Sequence, residues 1–335
     1  MSASDAIIVG ESWISEHYFG SEATSESFYA EVLARRKAWD AEEKAERPTP
    51  RSRFTAVRQK LEVELAALAE LADPDGAVVH DAETIAKAAY EVYTEIITVL
   101  ELREHGLQVT ETGSLLRVSA PGITERAPLA VILARPAGTH EDALVKDADT
   151  LLQPLVLEDD GPEFTSAARL VSALFVNESA APDLALILAG RWIILAEQER
   201  WAEGRFLAVD LQLVCERNDT KRGGEIDRAL TCLSAESVAP DAAGRLWWLD
   251  TLEKSVKHTV GVSKDLREGV RLSIEIIANE VVARRRARGL DPLPAADANE
   301  LAKQSLRFLY RVLFLLYAEA SPELGVLPAG AAEYD

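Results

Sequence analysis

Apolar positions recur at helical spacing through the first hundred residues. Residues 26–46 place Phe28, Val32 and Trp39 close to one face. The segment RPTPRSR at 47–53 interrupts that pattern, because its two prolines disfavour helix. A second helix is expected over 54–72, ended by DPDG at 73–76. A third, over about 81–103, carries Ile85, Ala89, Val92, Ile96 and Leu100 as one stripe. The period then changes. LQVTETGSLLRVSA at 107–120 reads as two strands meeting at Thr112-Gly113. PLAVILARP at 128–136 is a continuous apolar run, the mark of a buried strand. GPEFTSAARLVSALFVNE at 161–178 reads as a helix with Pro162 in its first turn. LALILAG, RWIILAEQ and RFLAVDLQLV, between 184 and 214, read as strands joined by a Gly190-Arg191 turn and by ERWAEG. Beyond Gly223 the helical period returns. One long region runs from Trp247-Trp248 to ARRRARG and is ended by Gly289 and Pro292. A last helix over 296–320 has Asp297 or Asn299 as cap and is followed by Pro322 and Gly325.

The expected order is therefore helical, then α-β-β-β-α-β-β(-β), then helical, which makes an α+β fold. The domains expected are an N-terminal helical segment at 1–80, a mixed α/β layer at 81–222 and a helical connector at 223–335. The formal net charge of -20 over 335 residues favours solubility and disfavours binding of nucleic acid by the whole surface, while leaving room for a local basic patch. Two cysteines suggest no disulfide framework, and the N-terminus lacks the basic region of a secretory signal, so a reducing cytoplasm is expected. The apolar run at 306–317 contains Arg307 and Arg311 and is shorter than the roughly 20 residues a bilayer needs. It is expected to pack against protein in the connector through Leu306, Leu309, Tyr310, Leu313, Phe314 and Tyr317.

Little of the chemistry-bearing inventory converges. The five histidines are scattered, with no zinc-ligand spacing. Cys215, in or beside a strand, and Cys232, on a helix, read as buried thiols. KRGGE at 221–225 has paired glycines but reads as a loop, not a cofactor cradle. The tryptophans Trp192, Trp201, Trp247 and Trp248 read as packing residues, with base stacking as the alternative. The basic clusters are more informative. Arg284, Arg285, Arg286 and Arg288 end a helix, where they suit its C-terminal dipole. The same residues could contact phosphate. Arg35, Arg36 and Lys37, and the loop residues Arg47, Arg51 and Arg53, are similar candidates, and such contacts position a nucleic-acid backbone without reading bases.

VGESWISEHYF near the start, ILAGRWIILAEQERWAEGRFLAVDL in the middle and SLRFLYRVLFLLYAEASPELGVLP at the end resemble the N-terminal region of large bacterial anti-phage methyltransferases. These are the type IIG restriction-modification enzymes and their relatives in the BREX (PglX-like) and DISARM systems. The resemblance implies a PD-(D/E)XK nuclease-like domain, then a helical connector, then an adenine-specific DNA methyltransferase that uses S-adenosylmethionine. The Asn/Asp-Pro-Pro-Tyr/Phe methylation motif is absent, so the chain is expected to be a piece of a longer protein cut at that junction, or a separately encoded equivalent. No cofactor is expected in this chain. The partners implied are DNA, the methyltransferase domain itself or other defence-system subunits.

A nuclease of that kind needs an Asp at the end of one strand and Glu-x-Lys on the next, to hold Mg²⁺ beside the phosphate. The strand in AVILARP instead offers Leu133 and Arg135. The only Glu-x-Lys, Glu42-Glu43-Lys44, lies in a mixed-charge helix. Loop acids Glu141, Asp142, Glu158 and Asp159 are weak metal candidates, and Asp210 and Glu216 flank a strand without a lysine partner. The expectation is a degenerate, non-cleaving nuclease-like domain with scaffolding and DNA-backbone roles. The alternatives are an active Mg-dependent endonuclease and a protein-docking module of a defence complex.

Overall fold

A computed structural model describes residues 5–20, 27–73, 76, 78–122, 126–158, 161–177, 180–320 and 326. Asp159, Pro322 and Gly325 lie outside the described residues, as do residues 74 and 75 of the DPDG turn. The elements are, in order, β1 (Ile7–Gly10), α1 (Glu16–Gly20), α2 (Phe28–Lys44), α3 (Pro50–Ala72), α4 (Ala82–Val99), β2 (Gln108–Thr112), β3 (Leu115–Ser119) and β4 (Leu129–Leu133). Then come α5 (His140–Ala143), β5 (Leu155–Val156), β6 (Glu163–Phe164), α6 (Ala167–Val176), β7 (Leu184–Ala189), β8 (Trp192–Glu197), α7 (Gln198–Trp201) and β9 (Phe206–Asp210). The chain continues through α8 (Leu211–Arg217), α9 (Glu225–Leu233), α10 (Ala235–Val238), α11 (Trp247–Ala287) and α12 (Ala298–Ala320). It divides into two compact units, Met1–His258 and Thr259–Asp335, with the boundary inside α11.

Unit 1 is built on a seven-stranded sheet in the order β1-β9-β8-β7-β4-β3-β2. Every pairing is antiparallel except β4 with β7, which run parallel from Leu129↔Leu184 to Leu133↔Leu188. Parallel neighbours need a crossover, and α6 supplies it. Strands β7 and β8 are buried at every position, so both faces are covered. Leu184, Leu186 and Leu188 alternate with Ala185, Ile187 and Ala189, as a pleat requires. The first set joins the core formed with α2, α3, α4, α8 and α9. The second packs with α6 on the opposite face.

Several boundaries differ from the sequence reading, each for a local reason. The helix break at 47–53 is shorter than expected. Thr49 caps α3 by accepting from Ser52 N–H, and Pro50 sits in its first turn, where its missing N–H costs nothing. Arg51 and Arg53 are therefore helical and not in a loop. Pro162 does not start a helix. Residues Glu163–Phe164 pair with Leu155–Val156, and Ser166 caps α6. The apolar run RFLAVDLQLV is a strand only to Asp210, whose carboxylate caps α8 through Leu213 N–H, which puts Cys215 on a helix. Ile7–Gly10, inside a segment read as helical, is an edge strand on β9.

The expected boundaries near 80 and 222 do not separate units. α9 lies in unit 1 with every residue buried, and its Asp227 accepts from Arg36 Nη1 at 2.7 Å and from Gly223 N–H at 2.9 Å. The paired glycines are structural. Gly223 has φ +69°, and a Cβ there would stand 2.5 Å from the Tyr29 ring. Trp248, fully buried, packs edge-on against Trp13 and stacks with Phe28, and its indole N–H donates to Cys232 O.

Unit 2 contains the distal part of α11, a Gly/Pro elbow and α12. The expected packing face of α12 is open. Leu306, Tyr310, Leu313, Phe314 and Tyr317 are between 46% and 67% exposed. Only Leu309 is half-buried. Apolar periodicity states which side chains favour burial, but nothing in the described residues of unit 2 covers them.

Candidate nucleic-acid interface

On the nuclease-like expectation, metal-binding acids would stand at the carboxyl ends of β4 and β7. Tyr93 from α4 ties these ends together: its hydroxyl donates to Ala134 O at 2.7 Å and accepts from Gly190 N–H at 2.6 Å. Burial raises the pKa of this phenol, so it stays protonated. All of β4 is apolar and buried, and Leu133 is 2% exposed within the core. Arg135 follows and lines a cavity of about 400 Å³ with Arg191, Asp142 and Asp149. Asp142 is spent locally, accepting from Thr139 N–H at 3.1 Å and Thr139 Oγ1 at 2.7 Å to cap α5. Glu141 is exposed beside His140. Asp210 forms a two-pronged pair with Arg191. Glu216 accepts from Gln212. Among the described residues no group of three or more His, Cys, Asp or Glu is placed to hold a metal ion. The donor set therefore does not fit the Mg²⁺ that a nuclease of this type requires.

Most of the basic candidates in unit 1 are committed to the fold. Arg35 pairs with Glu236 at 2.9 Å, and Arg36 with the buried Asp227 at 2.7 Å. Arg51 holds Asp40 at 2.7 Å and also Glu43. Its hydrogen bond keeps Asp40 below the usual carboxylate range. Burial pushes Glu43 up, but hydrogen bonds from Arg51 and Thr49 outweigh it and leave that carboxyl lowered as well. Arg53 pairs with the buried Glu101 at 3.0 Å. Lys37 is exposed. These guanidinium groups join α2 and α3 to α4, α9 and α10, and are poorly placed to hold phosphate.

The arginine cluster of unit 2 is different. Gly289, at φ +67°, ends α11, and Leu290 N–H returns to Arg285 O. Arg284 pairs with Glu280 at 2.7 Å. Arg285 Nη2 donates to Asp291 O at 3.0 Å, while its buried Nε has no acceptor among the described residues. Arg286 and Arg288 are exposed, with no ion pair among the described residues. Arg285 and Arg286 line a cavity of about 510 Å³ at the elbow, walled by Val282, Leu290, Pro292 and Leu301. On α12, Lys303, Arg307 and Arg311 follow at i, i+4 and i+8, all exposed.

The charge is divided between the units. Thr259–Asp335 holds ten Lys and Arg against eleven Asp and Glu, a net of -1. The remaining -19 of the total -20 lies on Met1–His258, with 26 basic and 45 acidic residues. The charge on unit 1 disfavours a polyanion there, whereas unit 2 is nearly neutral. Comparison with protein-family models, with curated proteins and with solved structures gives no match.

Two features had no signal in the sequence: Glu101, held by Arg53 Nε at 3.0 Å and by His105 Nε2 at 2.7 Å, and Asp227 with its partners Arg36 and Gly223. Each joins residues far apart in sequence, and periodicity reports nothing about such pairs.

Proposed function

We propose that this chain is the nuclease-like and connector part of a bacterial anti-phage DNA methyltransferase. On this reading it does not cleave DNA, and it holds duplex backbone through Arg284, Arg285, Arg286 and Arg288. Methyl transfer from S-adenosylmethionine to adenine would lie in sequence outside these residues. The exposed face of α12 would pack on that methyltransferase part. The order α4-β2-β3-β4, then α5, the small β5-β6 pair and α6, then β7, with three antiparallel strands and a fourth parallel to the third, supports the nuclease-like reading. The unbroken apolar burial of β4 supports loss of cleavage.

The observation that carries the proposal is the charge division: four arginines cluster on a nearly neutral unit of a strongly acidic chain. Two experiments test it. Plasmid DNA incubated with the chain and Mn²⁺ should stay supercoiled, and nicking that disappears in Glu141→Ala/Asp142→Ala would establish the endonuclease reading instead. A gel shift should weaken when Arg284–Arg288 are neutralised. An unchanged shift, or none from the parent chain, would favour the docking-module reading.

A further inference from the structure

A cavity of about 550 Å³ in unit 1 opens beside the end of α4, α10 and the start of α11. Apart from Arg35, a backbone candidate already paired with Glu236, its residues take no part in the DNA-backbone reading. His105, which lines the cavity, and Glu101, four residues earlier, are non-glycine residues with left-handed backbones, at φ +57° and φ +61°. Glu101 occupies the position after α4 at which Leu102 N–H returns to Ile97 O. Glycine is the usual residue there. A glutamate in its place is accounted for by its side chain, which is buried and accepts from Arg53 Nε at 3.0 Å and from His105 Nε2 at 2.7 Å. In the neutral tautomer that donates Nε2–H to Glu101, His105 has Nδ1 left as a hydrogen-bond acceptor, and the residue lines the cavity.

A second wall is flat and fixed. Arg35 lies over Trp247, 5.5 Å from the ring centroid, with its guanidinium tied to Glu236 at 2.9 Å and Ser237 at 3.2 Å. Both residues line the cavity. Asp250, on the first turn of α11, is exposed at the same cavity with no ion pair among the described residues.

We infer that this cavity binds a planar nitrogen heterocycle without phosphate, of the nucleoside or free-base class. The Trp247–Arg35 stack presents a rigid plane of the kind on which bases pack. His105 Nδ1 and the Asp250 carboxylate are acceptors suited to exocyclic amino groups and ring N–H. The volume lies in the range of small-molecule sites, roughly 300–1,000 Å³. The charge of -19 on unit 1 selects against a phosphorylated ligand.

Titration of the 335-residue chain with adenosine, 1-methyladenosine and AMP, followed by tryptophan fluorescence, tests this. Adenosine and the cationic 1-methyladenosine should quench saturably, with AMP weaker by about tenfold. His105→Asn keeps a side chain that tolerates a left-handed backbone but gives up the bond to Glu101, which Arg53 still holds, so it should stay folded and melt slightly below the parent; Asp250→Asn changes an exposed residue and should melt as the parent does. Each should weaken adenosine by about fivefold or more. No saturable quenching up to millimolar adenosine, equal affinity for AMP, or unchanged binding in both variants would overturn the inference. A retained DNA gel shift in the same variants would leave the backbone reading standing, so the two can fail separately.

Discussion

At the scale of single residues, buried polar hubs hold this fold together more than its surface ion pairs do. Asp227 is the clearest case, with a 2% exposed side chain between Arg36 and Gly223 N–H. Removing one partner of a buried pair strands the other charge. Asp227→Ala should therefore cost about 3–5 kcal/mol in urea unfolding. Gly223→Ala combines a disfavoured φ of +69° with a Cβ 2.5 Å from Tyr29, and should lower the thermal midpoint by several degrees. The two thiols give a pH test. Burial pushes Cys215 from 9.0 up to about 12, and raises Cys232 as well. Both raised values mean that the folded protein keeps its protons while the unfolded chain would lose them above about pH 9. Neither thiol should react with a disulfide reagent at pH 8 until the chain is unfolded. The thiols' contribution to stability should be complete below pH 9 and fall away as pH rises toward 12. Rapid labelling of the folded chain would contradict this.

At the scale of elements, strong periodic signals were readable and their ends were not. The apolar runs of β4, β7 and β8 announced buried strands, and the stripe on α4 announced its core face, because both patterns follow directly from backbone period. The end of β9 was misread because LQLV continues the apolar character while the Asp210 cap redirects the backbone. Arg51 and Arg53 are helical despite the nearby prolines because proline at a first helical turn is permissive, whereas proline deeper in a helix breaks it. The nuclease comparison can be probed on β4. Leu133→Glu would bury a carboxylate in the core beside Val131 and Leu188. It should destabilise unit 1 by at least about 3 kcal/mol, and Mn²⁺ should not restore the loss. Recovery of the melting midpoint by Mn²⁺ would instead reveal a latent metal site at the carboxyl end of β4.

At the scale of the whole molecule, charge was legible in total but not in placement. A net of -20 disfavours nucleic acid over the whole surface while leaving room for a local patch, and the unit boundary inside α11 divides it into -19 and -1. The candidate arginines were all named from sequence. Which of them are free depended on tertiary partners: Arg35, Arg36, Arg51 and Arg53 meet carboxylates, whereas Arg286 and Arg288 meet none among the described residues. Among the described residues no helix is long and apolar enough to cross a membrane. The most direct test is the salt dependence of binding to a fluorescent 30-base-pair duplex, compared between the parent chain and Arg286→Gln/Arg288→Gln. Each phosphate contact contributes about 0.9 to the slope of log affinity against log salt, so the double variant should lower that slope by about 2 and weaken all sequences alike. An unchanged slope, or binding lost equally when Lys37 alone is neutralised, would contradict the assignment of the arginine elbow as the DNA-backbone contact.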